Sequence, residues 1–108
     1  MTRKEAIKEY KARKIPRGVF ALRCTTTGHI WIDTALNLEA ARNGLWYILR
    51  HGLHRNKALQ AEWNANGEQS FEYEILEKLE DDLAIIAVGD ALKEKKRHWV
   101  GQLSGEIL

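Results

Sequence analysis

The chain has one cysteine and one proline in 108 residues. A single thiol, Cys24, excludes an intramolecular disulfide framework and a multi-cysteine zinc centre. It fits a reducing compartment. With no histidine and acid beside it in the sequence, it reads as a small hydrophobe at a strand end. No apolar run approaches the roughly 18 residues of a membrane span. The first residues, Met-Thr-Arg-Lys-Glu-Ala, lack the apolar stretch of a signal peptide. There is no internal repeat and no low-complexity segment. These absences lead to the expectation of a soluble cytoplasmic domain with no membrane partner. Without covalent staples it must stand on its own core. A chain that is 44% hydrophobic and 30% charged has the composition for one.

The net charge of +2 hides a segregation. Residues 1–17 carry seven basic side chains against Glu5 and Glu9, a local +5. Residues 62–82 carry eight acidic ones against Lys78, a local −7. A second basic group follows at Lys93, Lys95, Lys96 and Arg97. Such separation can steer a polyanion onto one face, although solvated helices carry charge as well.

Thr2-Arg3-Lys4-Glu5 has the form of a capping box. It predicts a lightly packing basic helix over residues 2–13, stopped by Pro16 and Gly18. The rest of the single domain, residues 18–108, alternates between strand and helix patterns. Residues 19–25 and 30–33 read as strands around a Thr26-Thr27-Gly28 turn. That turn sets Leu22 opposite Trp31 and Phe20 opposite Asp33. Phe20, Leu22, Trp31 and Asp33 then share one face, expected to be half open. Val19, Ala21, Ile30 and Ile32 share the other, expected to be core. Asn37 caps a helix to about His51 with the stripe Leu38, Ala41, Leu45 and Ile48. A second helix spans residues 56–65 with Leu59 and Trp63 inward. Residues 71–77 alternate strictly, as a half-buried antiparallel strand does. Asp81 or Asp82 is expected to cap a last helix to about Leu103, with Ile85, Val88, Leu92, Lys96, Trp99 and Leu103 on its inward stripe. The sum is an α+β fold, a small three-stranded antiparallel sheet flanked by helices.

Gly18-Val19-Phe20 and Trp31-Ile32-Asp33 stand at the spacing of two strand motifs, Gly-Ile-Tyr and Tyr-Ile-Gly. Thr34-Ala35-Leu36-Asn37-Leu38 follows them, and later come His54, Leu59-Gln60, Trp63-Asn64, Gly67, Phe71 and Ile75-Leu76-Glu77 in order. Over about residues 18–103 the chain resembles the GIY-YIG nuclease family, a bacterial-type small domain. The resemblance implies a nuclease-like fold and phosphodiester cleavage. It implies tyrosines that handle protons, an arginine on the first helix after the hairpin, and a glutamate on the last helix that holds one divalent metal.

The matching positions here carry other residues. Phe20 has no hydroxyl, and the Trp31 indole donates but cannot accept. Ala41 stands at the arginine slot, with Arg42 one residue late, about 100° around the helix. Counting back from Trp99, the metal glutamate's slot is Lys96. Periodicity places Lys96 with Leu92 and Trp99 independently. A lysine there is expected to repel a divalent cation and to pair with Asp33 or a phosphate. Glu94, about 200° around the helix, is the fallback ligand. His54 matches a position near the family's site. Arg50 and His51 end a helix where cations favour the dipole.

Three functions follow as expectations. The leading one is a catalytically impaired GIY-YIG domain that binds DNA or RNA non-specifically through Arg50, Arg55, Lys57, Lys93, Lys95 and Arg97, with no cofactor. The second is an active endonuclease, using Mg²⁺, with a site rebuilt around Glu94, His54, Arg42 and Asp33. The third is a protein-interaction module using the Glu72 and Glu74 strand edge or the acidic stretch. Trp31 is also a candidate for stacking a base.

Overall fold

The alternating pattern of the first two strands closes into a hairpin. In the computed structural model, which describes residues 15–108, β1 (Gly18–Cys24) pairs antiparallel with β2 (Ile30–Ala35). Phe20 lies opposite Asp33 and Leu22 opposite Trp31, the register the turn predicts. The basic helix expected over residues 2–13 lies outside the described residues. β3 (Phe71–Lys78) pairs antiparallel with the other side of β1. A short β4 (Glu106–Ile107) runs parallel to β2, so the order is β3-β1-β2-β4. Among the described residues the sheet thus has four strands rather than the expected three. Two residues are too few to show alternation. What seats β4 is close approach: a Cβ on Gly105 would lie 2.7 Å from Ile32 Cδ1.

The helices start where side chains satisfy orphan amides. Asn37 Oδ1 accepts from the Ala40 N–H at 3.0 Å to open α1 (Leu38–Arg50). Asn56 Oδ1 accepts from Leu59 N–H at 3.2 Å to open α2 (Lys57–Asn66). α3 (Ile85–Leu103) begins later than expected; Ala84, not Asp81 or Asp82, is its N-cap.

Both faces of the sheet are covered. Phe20, Leu22, Trp31 and Phe71 pack under α1 and α2 against Leu38, Leu45, Trp46, Leu49, Leu59 and Trp63. Val19, Ala21 and Ile32 pack under α3 against Trp99, Val100 and Leu103. The aromatic face expected to be half open is therefore the larger core. Its burial turns α1 slightly: Trp46 and Leu49 point inward, while Ile48 is 38% exposed. In α3 the expected stripe fails at its start, where Ile85 is 88% exposed, and holds from Val88 and Leu92 onward.

Strict alternation in β3 breaks at a β-bulge. Val19 pairs with Glu77 but Phe20 pairs with Ile75, so Leu76 is an extra residue. Leu76 joins the core beneath α3, and Ile75 is left 39% exposed. Gly18 meets β3 at the same place. A Cβ there would lie 2.0 Å from the Glu77 carbonyl oxygen, which only glycine avoids. Among the described residues, no helix is long and apolar enough to cross a membrane.

Candidate nucleic-acid interface

The two rings of the strand motifs are interior. Phe20 is 3% exposed and stacks on Tyr73 with ring centroids 4.9 Å apart. Trp31 is 1% exposed, too enclosed to stack a base from outside. Its Nε1–H has no hydrogen-bond partner among the described residues. Neither ring can accept a proton. Tyr73, which the sequence did not single out, brings a hydroxyl beside Phe20. That O–H donates to the Leu38 carbonyl at 2.7 Å. Burial pushes its pKa up to about 12 against the weaker opposing pull of Arg42. It stays protonated and engaged at neutral pH. Alternation places Tyr73 on the Phe20 face, but only the β3 to β1 pairing brings the rings together.

Among the described residues, Arg42 joins the charges at the sheet edge through no ion pair. Its guanidinium lies 5.1 Å from the Trp46 ring centroid, in an open cavity of about 570 Å³ shared with Arg23, Tyr73 and Glu74.

Asp33 on β2 has a different company. Lys96 Nζ of α3 lies 3.8 Å from Asp33 Oδ1. The same oxygen accepts from Thr34 N–H at 2.8 Å. His54, 7% exposed, accepts at Nδ1 from Asn56 N–H at 3.0 Å, which leaves the neutral ring's proton on Nε2. Burial first, and then Arg55, lowers the His54 pKa, while Asp33 acts the other way. The ring is therefore neutral at pH 7.

The expected basic residues divide into two groups. Arg50 is held by Glu68, and Lys95 by Glu77. The hydrogen bond from Lys95, and next that from Trp99 Nε1 at 3.0 Å, holds the Glu77 carboxyl below the usual carboxylate range. Arg55, Lys57, Lys93 and Arg97 are exposed, and none has an ion pair among the described residues. Lys93, Lys96, Arg97 and Val100 fall on one helix face at i, i+3, i+4 and i+7. With Ile107 they line a cavity of about 230 Å³.

These residues do not fit the divalent metal that the sequence resemblance implies. An ammonium stands beside Asp33, and a unit charge a few ångströms from a divalent ion repels it by several kcal/mol at an effective dielectric near 20. Glu94 is exposed on another side of α3. Among the described residues, no group of three or more His, Cys, Asp or Glu side chains is gathered in one place.

Two solved structures share this fold. One is the catalytic domain of the homing endonuclease I-TevI, with a TM-score of 0.72 and 23% identity over 85% of this chain and 97% of that one. The fold is GIY-YIG nuclease-like. The other is a glutamate-to-alanine mutant of the I-TevI intron endonuclease domain, with a TM-score of 0.70 and 22% identity over 83% of this chain and 86% of that one. No protein-family model matches the chain, and no curated protein matches it in sequence. Within the GIY-YIG-like fold, the positions named from sequence lie apart. Phe20 and Trp31 are core, Arg42 lies over Trp46, Asp33 of β2 meets Lys96, and His54 sits before α2 within reach of the Asp33 charge.

Proposed function

We propose that this chain is a nucleic-acid-binding protein on a nuclease-like fold, impaired in cleavage, that engages DNA or RNA without strong sequence preference. The observation that carries this reading is Lys96: a cation beside Asp33, flanked by Lys93 and Arg97, where the resemblance implies a metal-binding carboxylate. Cations on one helix face bind phosphate directly and need no metal. Phe20 and Trp31 support the same reading, since neither can move a proton. Arg55 and Lys57 extend the interface. Arg50 and Lys95 contribute less, because Glu68 and Glu77 already neutralise them.

The test is fluorescence anisotropy with labelled single- and double-stranded DNA and RNA, without divalent ions, across a salt series. Each phosphate neutralised on duplex DNA contributes about −0.9 to the slope of log affinity against log salt. Three to four effective cations give a slope of about −3. Affinity that stayed flat with salt would overturn the proposal and favour the protein-interaction reading.

A further inference from the structure

The cavity between α3 and β4 is built differently from a simple basic stripe. Lys93, Lys96 and Arg97 supply three cations, and Val100 and Ile107 supply an apolar wall. Asp33, against Lys96, returns one negative charge. Among the described residues no acidic side chain lines the cavity itself, and Asp90 and Glu94 stand three residues before Lys93 and Arg97 at its border. Glu94 is two residues around the helix from Lys96. Glu106 precedes Ile107 on β4 and so points to the opposite face, where its charge acts on His29.

A cavity of about 230 Å³ lined by three cations at one side and carbon at the other selects its ligand by both features. A phosphodiester in a continuous strand carries one negative charge, whereas a phosphomonoester carries about −1.5 to −2 at pH 7. The guanidinium of Arg97 offers a planar fork for two phosphate oxygens, and the lysines add point charges. Val100 and Ile107, the latter 62% exposed, suit the carbon skeleton of an attached sugar or base. We infer that this cavity is a metal-independent site for the phosphomonoester of a nucleotide, either at the end of a nucleic-acid strand or free. The strand-end form rests on the proposed nucleic-acid binding; the free-nucleotide form does not.

The test compares a short single-stranded oligonucleotide carrying a 5′-phosphate, a 3′-phosphate or neither, labelled internally, at fixed salt with chelator present. In parallel, AMP and adenosine are titrated while the methyl resonances of Val100 and Ile107 are followed. The expected result is that one phosphorylated end binds about tenfold tighter than the bare end, the equivalent of one good charge-assisted contact. In Arg97→Gln and Lys93→Gln the ratio falls toward one. Both side chains are exposed, and circular dichroism checks that the fold is kept. AMP is expected to shift both methyls and adenosine to leave them in place. If no oligonucleotide binds but AMP still shifts the methyls, the cavity is a free-nucleotide site and the proposed function fails. Equal affinity for all ends, together with no AMP shift, overturns the inference and leaves the nucleic-acid reading standing.

Discussion

Phe20 and Asp33 face each other across β1 and β2, yet they belong to two different regions. Phe20 is part of the interior under α1 and α2, where Trp31, Trp46, Trp63 and Phe71 also pack. Asp33 belongs to the edge beside α3, where Lys96 meets it. In the interior, side chains are selected by shape. Phe20 and Trp31 fill space and leave no proton acceptor. At the edge they are selected by charge, and there the Lys96 ammonium faces the Asp33 carboxylate. On the proposed reading, a nuclease-like backbone does not by itself bring nuclease chemistry. The chemistry resides in a few atoms at the boundary between these regions.

Substitutions separate the two regions most sharply by stability. Trp31→Ala removes a fully enclosed ring and is expected to cost about 3–5 kcal/mol in denaturant unfolding. Lys93→Gln, at the exposed edge, is expected to stay within about 0.5 kcal/mol of wild type while weakening nucleic-acid binding. A Trp31→Ala variant as stable as wild type would break the distinction.

A smaller effect tests how the interior is held at its rim. Asn37→Ala removes the acceptor for Ala40 N–H at the start of α1. It should lower stability by about 1 kcal/mol, measured by the same unfolding curves, with Asn37→Asp recovering most of the loss.

The smallest predicted effect is a pair of histidine titrations of opposite sign, read by NMR. His54, buried beside Arg55, should titrate below its ordinary 6.5. His29, hydrogen-bonded to Glu62 at 2.6 Å, should titrate above it. The neutral form of His54 is favoured by folding. Its contribution is present above pH 6.5 and is lost as pH falls through the folded value. The charged form of His29 is favoured by folding. Its contribution is present below pH 6.5 and is lost as pH rises through the folded value. Glu62→Gln should return His29 toward 6.5 and leave His54 unmoved.

Much of the fold was legible because local chemistry and periodicity agree. Asn37 and Asn56 announce helix starts, and the hairpin turn fixes Phe20 against Asp33. Period-2 alternation says which residues share a face, not whether that face is covered. For that reason the side bearing Phe20 and Trp31 read as half open although helices close both sides. The bulge at Leu76 adds one residue without a local signal, and β4 is shorter than any alternation. The site was partly legible in the same sense. Lys96 shares a helix face with Leu92 and Trp99 by spacing alone. Its distance from Asp33, the burial of the Tyr73 hydroxyl and the seating of Ile107 beside Arg97 depend on segments far apart in the chain, which no spacing rule brings together.

The central claim is that a cation occupies the place where a nuclease-like site needs a metal-binding carboxylate. Titration of Mg²⁺ into wild type and Lys96→Glu, with cleavage of labelled DNA followed on the same samples, tests it most directly. The predicted result is no saturable Mg²⁺ binding and no cleavage by wild type, and saturable Mg²⁺ binding gained by Lys96→Glu. Tight Mg²⁺ binding with DNA cleavage by wild type, both lost in Glu94→Ala, would contradict the claim and establish Glu94 as the ligand of an active nuclease.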